Sequence, residues 1–251
     1  MRYAILSDIH GNLEALTAVM ETLASERIDR YLCLGDMIGY GADSVACLEL
    51  LQARDAVCVA GNHEWGCIGR LELAWFHEAA RAVILWTRDR LSVTDLDHVR
   101  QLPLTTIVEP FTFVHGTLTH PERFEYLADA AQAMETLSAC QTLICLVGHT
   151  HQPCCVEYDR RRRRLTRFMT SSEQAADIEF VDDPHAMRYL INPGSVGQPR
   201  DGDARASVAI VDTAMRRVAF RRVAYDIAAA QRKIREAGLP AFLADRLAIG
   251  R

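Results

Sequence analysis

Five short apolar runs in this chain end in residues that bind divalent cations. Residues 3–6 lead into Asp8-Ile9-His10, residues 31–34 into Gly35-Asp36, and residues 56–60 into Gly61-Asn62-His63. Further on, Phe111–Val114 leads into His115-Gly116, and residues 143–147 into Gly148-His149-Thr150-His151. Asp, Asn and His offer oxygen and imidazole donors, a set that suits manganese, iron, zinc or nickel. Asp8 and His10 are two apart, as are His149 and His151, and on extended backbone that spacing turns both side chains the same way. Glycines beside Asp36, Asn62, His115 and His149 let the backbone turn sharply and come close to a bound group. Taken singly, Gly-Asp or Gly-Asn is ordinary turn chemistry and His-Gly says almost nothing. Five such endings in order, each after an apolar run, point to one shared pocket.

The elements must bring those endings together. In an open α/β sheet, ligands bind beyond the carboxyl ends of the strands, so five strand ends can converge there. Leu13, Leu16, Met20 and Leu23 recur at helical spacing between the first two runs, and residues 44–51 read as a second helix. Strands alternating with helices predict βαβ units and a largely parallel sheet. Residues 65–102 carry only helical patterning, up to Pro103. Trp75 and Trp86 are eleven apart, close to three helical turns, which predicts a shared helix face. That face either packs the segment onto the core or lines a site for a nucleobase. Residues 154–158, 165–170, 189–191, 207–211 and 217–223 then read as strands with no helix between them, hence antiparallel. A helix over 225–237 is stopped by Gly238 and Pro240.

Composition narrows the class. With 251 residues, 49% of them hydrophobic and 24% charged, the chain is globular rather than disordered. A net charge of −5 argues against stable binding of duplex nucleic acid. It also repels a phosphorylated substrate unless something local reverses the sign. The N-terminal stretch turns polar too soon for a secretory leader, and no apolar run approaches the roughly 18 residues of a membrane span. A cytoplasmic location without membrane partners is the expectation. Eight cysteines without a CxxC pair then read as reduced, mostly buried side chains.

Ser7-Asp8-Ile9-His10-Gly11-Asn12, Leu34-Gly35-Asp36, Gly61-Asn62-His63-Glu64, Val114-His115-Gly116 and Gly148-His149-Thr150-His151 together resemble the motifs of the calcineurin-like metallophosphoesterases. The later Ile191-Asn192-Pro193-Gly194-Ser195-Val196-Gly197-Gln198-Pro199-Arg200-Asp201-Gly202 is similar to the small bacterial phosphodiesterase-type branch. The resemblance implies an α/β fold: a four-layer α/β/β/α sandwich of two mixed sheets. It also implies one domain over 1–251, with a helical insert at about 65–102 over or beside the active site. Carried over by position, Asp8, His10 and His151 hold one divalent metal, and Asn62, His115 and His149 a second. Asp36 bridges the two, and His63 is a non-ligand facing the leaving group. Two divalent cations, manganese foremost, would bring the formal charge from −5 to −1 and put that change at the substrate position.

The implied activity is hydrolysis of phosphodiester or nucleotide phosphoanhydride bonds by a metal-bound hydroxide. The substrate is then a phosphorylated small molecule or nucleotide. Dinucleoside polyphosphate hydrolysis and phosphomonoesterase activity are the alternatives within the class. A non-catalytic scaffold or binding protein on the same fold is the alternative outside it, and a second copy of the chain is a candidate partner in either case. Arg200 suits bidentate phosphate contact, and His120 closely follows His115, so both are candidate substrate contacts. One departure stands out. Protein Ser/Thr phosphatases carry an Arg and a second Asp shortly after the second motif, and the Asp orients the catalytic His. Symmetrical diadenosine tetraphosphatases share the Arg. Here Met37-Ile38-Gly39-Tyr40-Gly41 has neither, so another group must orient His63.

Overall fold

The computed structural model describes residues 1–170 and 177–251. Two six-stranded sheets stack face to face. The first uses β1 (Arg2–Leu6), β2 (Arg30–Cys33), β3 (Val57–Cys58), β9 (Ile178–Glu179), β11 (Ala206–Asp212) and β12 (Arg217–Val223), in the order β3-β2-β1-β11-β12-β9. The second uses β4 (Thr105–Val108), β5 (Phe111–Val114), β6 (Ile144–Leu146), β7 (Cys154–Asp159), β8 (Arg164–Thr170) and β10 (Met187–Asn192), in the order β4-β5-β6-β10-β7-β8. The helices are α1 (Leu13–Ala24), α2 (Ser44–Gln52), α3 (Asn62–Cys67), α4 (Glu78–Arg88), α5 (Val93–Gln101), α6 (Ala130–Ala139), α7 (Ile227–Glu236) and α8 (Ala241–Asp245).

Three apolar clusters fill the three interfaces between four layers, and strand alternation assigns residues to them. Tyr3 and Ile5 of β1 face the second sheet, meeting Phe111, Phe113, Ile144, Leu146, Tyr189 and Ile191. Ala4 and Leu6 face the other way, against Leu16, Val19, Leu48 and Ile234 from α1, α2 and α7. On the far side of the second sheet, Cys145 and Leu190 pack on Ala133 and Leu137 of α6. Among the described residues no helix is long and apolar enough to cross a membrane.

The first sheet is mixed rather than largely parallel. β1, β2 and β3 run parallel as expected, but β11 enters antiparallel beside β1 and brings β12 with it. In the second sheet β10 pairs parallel with β6 and antiparallel with β7. The strand expected over 56–60 pairs only at Val57–Cys58, because the chain peels away toward Gly61. β4 and α6 carry too weak a pattern to be read from sequence: Thr105–Val108 is half exposed, and α6 is rich in alanine. The cysteines are free thiols, seven of them buried.

The inter-sheet cluster holds the layers together. Phe111 is fully buried there, with its ring 4.8 Å from that of Tyr3. Phe111→Ala is expected to lower unfolding free energy by about 3–5 kcal/mol, read as a shifted urea midpoint with an unchanged slope.

Candidate metal centre

The endings of β1, β2, β3, β5 and β6 meet at one edge of the sandwich. They do so on left-handed backbone: φ is 52° at Asp8, 51° at His10, 51° at Asp36, 67° at His149 and 59° at His151. The two-residue spacing therefore does not act through strand alternation, as the sequence suggested, since these residues lie past the strands. Each such residue costs about 1–2 kcal/mol, offset by a web of main-chain bonds. Asp8 N–H donates to the Gly35 carbonyl at 3.1 Å, His10 N–H to that of Asp36 at 2.9 Å and Gly11 N–H to that of Met37 at 2.9 Å. The 193–198 loop straps the first motif from the other side. Val196 N–H donates to the Ser7 carbonyl and Gly197 N–H to that of Asp8, both at 3.0 Å. Ser195 Oγ donates to the same Asp8 carbonyl at 2.7 Å, which gives this serine a structural job. A Cβ on Gly197 would lie 1.7 Å from the Ile9 carbonyl oxygen, so only glycine fits.

The side-chain donors then crowd together. His151 Nε2 lies 3.2 Å from Asp8 Oδ1 and 3.1 Å from His10 Nε2. His115 Nε2 lies 3.1 Å from His149 Nδ1 and 3.2 Å from Asn62 Oδ1. Between the two groups sits Asp36 Oδ2, 3.6 Å from His10 Nε2 and 3.3 Å from His115 Nε2. Three triplets could each hold a cation: Asp8, His10 and His151; Asp36, His115 and His149; and His10, Asp36 and His63.

The outer atoms are already engaged, which fixes the inner ones. The Nδ1 of His115, His151 and His10 face the carbonyls of Leu34 at 2.8 Å, Gln198 at 2.6 Å and Ile38 at 3.3 Å. Such outer bonds select the tautomer with a bare inward Nε2. Asp8 Oδ2 accepts from Ser7 Oγ at 2.6 Å and from His149 N–H at 3.0 Å. Its Oδ1 is buried with no hydrogen-bond partner. An orphaned carboxylate oxygen amid bare imidazole nitrogens fits a divalent cation, because burial without one would leave it uncompensated.

Charge follows the same geometry. Burial lowers His149 to about 3, and the charge of His115 adds to the effect. At His115 burial is outweighed by the Asp36 and Asp8 carboxylates, which raise the imidazole to about 9. Burial also opposes ionisation of Asp36, yet the His115 and His63 charges hold its carboxyl well below the usual range.

Glu64 and His63 answer the question left by the second motif. The Glu64 carboxylate accepts from the N–H of Asp36, Met37 and Gly61 at 2.8 Å each and from that of Ile38 at 3.2 Å. Burial pushes it up to about 7, while four N–H donors favour the ionised form. It organises the second and third motifs and leaves His63 alone. Among the described residues no carboxylate is hydrogen-bonded to the His63 side chain. Its ring is wedged among those of His10 at 4.7 Å, Tyr40 at 4.5 Å and Phe76 at 5.9 Å. Gly39 lies flush against it, where a Cβ would stand 2.1 Å from Nδ1. That Nδ1 is buried without a partner, and burial lowers the imidazole to about 4.

The motif order and the sandwich match a known domain. The calcineurin-like phosphoesterase superfamily domain aligns with residues 1–216. The chain belongs to that family. A metallophosphoesterase from Sphaerobacter thermophilus is 40% identical, with full coverage of both chains and a TM-score of 0.84. An uncharacterised protein of Methanocaldococcus jannaschii is 36% identical over 258 residues, covering 99% of this chain and 98% of that one. A hypothetical protein from Pyrococcus horikoshii shares the fold at 20% identity, with a TM-score of 0.75 and coverage of 100% and 98%.

A cavity of about 390 Å³ opens on the centre, with Asn62 and His149 in its lining. Arg200 lines both this cavity and the inner pocket around Asp36 and His63. His120 does not line it: its side chain is 47% exposed and lies 3.7 Å from Glu122. Trp75 and Trp86 do not share a helix. Trp75 ends a 3₁₀ turn at the cavity wall, whereas Trp86 in α4 sits under Arg90, whose guanidinium carbon is 3.7 Å from the ring centroid. Sequence reasoning missed Tyr40, Phe124, Tyr126 and Arg246 in the lining. Tyr40 had a signal in its place between two glycines after the second motif, while the others stand in no motif.

Glu64→Gln replaces an acceptor of four N–H bonds with one that turns an NH₂ toward some of them. Loss of about 2–4 kcal/mol is expected, read by thermal melt. Metal retained after dialysis should fall with it.

Proposed function

We propose that this chain is a hydrolase of phosphodiester or phosphoanhydride bonds that uses two divalent cations, with manganese the expected pair. The observation that carries the reading is the place of Asp36 Oδ2 between two donor groups, 3.6 Å from His10 Nε2 and 3.3 Å from His115 Nε2. In this reading Asp36 is shared, Asp8, His10 and His151 complete one site, and Asn62, His115 and His149 the other. The neutral Asn62 amide supplies an oxygen without adding negative charge. When bound, paired cations polarise a phosphoryl oxygen and acidify water at neutral pH.

The chain's own groups do the rest. Arg200 lines the inner pocket and offers a charged donor to the phosphate oxygens. His63 lines the same pocket with no acceptor holding its Nδ1. At neutral pH the free protein carries it uncharged. An arriving phosphate anion favours its protonated form, which can donate to the leaving oxygen. Rigid packing against Gly39, Tyr40 and Phe76 takes the orienting role that a carboxylate plays in protein phosphatases. An exposed Trp75 and a Tyr126 ring stacked 4.0 Å over His149 border the entrance. That aromatic wall favours substrates with a planar aromatic group, aryl or nucleotide.

Hydrolysis of bis(p-nitrophenyl) phosphate at neutral pH should depend on added manganese and stop with EDTA. Asp36→Asn should lower metal content and abolish turnover. His63→Asn should keep the metal but lower kcat by about 10²–10⁴-fold, which separates an enzyme from a scaffold that merely binds cations. Absence of turnover on mono- and diesters with manganese, nickel, zinc and magnesium would defeat the reading.

A further inference from the structure

Three arginines line the same cavity: Arg123 lies 3.8 Å from Glu125, and Arg200 and Arg246 remain. Arg200 directs Nε and Nη2 to a single neutral oxygen, Gln198 Oε1, at 3.3 and 2.9 Å. Arg246 opens the 3₁₀ segment Arg246–Ile249 and donates its Nε to an oxygen of Arg251, the last residue of the sequence, with neither Nη hydrogen-bonded among the described residues. Neither makes an ion pair with a carboxylate side chain among the described residues. Nearby arginines behave differently: Arg205, Arg222 and Arg235 pair with Asp203, Asp201 and Asp245. Asp245, the residue next to Arg246, is thus engaged by Arg235 at 2.7 Å. Arg246 is also partly buried, and burial together with the charge of Arg200 lowers its pKa. Two like charges on one cavity wall, neither paired with a carboxylate side chain among the described residues, repel each other, and an anion entering between them relieves that repulsion.

Their positions are ordered. Arg200 borders the inner pocket with Asp36, His63 and His151, as well as the outer cavity. Arg246 borders only the outer cavity. An anion touching Arg246 lies in the outer cavity, whose lining also includes Asn62 and His149. Arg246 also lies beyond residues 1–216, which match the family domain.

We propose that Arg246, acting with Arg200, forms a second anion subsite that selects substrates with a further phosphate beyond the scissile one, the nucleoside polyphosphate class. The scissile phosphate sits at the centre and the next along the chain is gripped by Arg246. Trp75 at the cavity wall is left to meet the base. Arg246 is a specificity residue that acts through binding, not through the reacting atoms.

The proposal rests on the phosphoester-hydrolase reading, and two measurements keep the failures apart. The first compares kcat/KM on two esters with the same reporter: the p-nitrophenyl ester of thymidine 5′-monophosphate and the γ-(p-nitrophenyl) ester of thymidine 5′-triphosphate. The ratio of triphosphate to monophosphate ester should fall about tenfold in Arg246→Met, the equivalent of one charge-assisted hydrogen bond, and recover in part in Arg246→Lys. The second measures binding of ADP and AMP by calorimetry in manganese-loaded His63→Asn protein. Adding Arg246→Met should weaken ADP about tenfold and shrink its margin over AMP. A substrate ratio within about twofold of wild type together with an unchanged ADP margin overturns the subsite. A wild type that hydrolyses neither these esters nor the mono- and diesters above overturns the hydrolase reading, and the binding arm still decides the subsite.

Discussion

Six buried Asp and His side chains and the half-buried Asn62, crowded together at one edge of the sandwich, are the constraint on which this structure turns. Imidazole nitrogens stand 3.1 Å apart at His10 and His151, and again at His115 and His149, with carboxylates wedged between them. Lone pairs so placed repel, and burial deprives them of water. Protons relieve part of the repulsion, as the raised pKa of His115 indicates. Asp8 Oδ1 is buried without a hydrogen-bond partner among the described residues, with His151 Nε2 3.2 Å away. Such an arrangement could hold divalent cations, and the fold must keep these groups close against their mutual repulsion.

The stiffness comes from backbone more than from side chains. Left-handed residues at five ligand positions are held by bonds that cross between motifs: from the first to the second through His10 and Gly11, and from the first to the late loop through Ser195, Val196 and Gly197. Glu64 adds a buried anion whose acceptors gather N–H groups from both sides of the second and third motifs. Its role resembles a capping carboxylate at the start of α3 extended to a neighbouring loop, where the dipole and the N–H donors favour negative charge. Residues that touch no substrate thus determine how closely the ligands approach.

The strands behind the site, the cation-binding endings and their order were legible because each obeys a local rule: an apolar run, a turn, then a donor residue. The sheet pairings were less so. β11 enters beside β1 from more than two hundred residues away, and no local pattern records which neighbour a strand will choose. The reason for the Asp-x-His spacing was misread for a related cause, since periodicity describes extended backbone and these residues depart from it. Glu64 was visible as a residue next to His63, but its direction depends on the helix turn that α3 makes at Gly61. Tyr126 and Arg246 carried no signal at all, because a cavity wall assembles from segments whose sequences need not know of one another.

His63 shows what packing can do in place of a hydrogen bond. A carboxylate partner orients an imidazole and also raises its basicity, coupling position to proton affinity. Here the ring is fixed by Gly39, His10, Tyr40 and Phe76, none of which stabilises a proton on Nδ1. Position and proton affinity are therefore separated. The ring stays in place while its charge is left to whatever anion enters the pocket, and Arg200 on the same wall pushes that affinity down further. In the reading proposed above, such a ring takes up its proton when a phosphate anion enters, which ties proton donation to occupancy of the site.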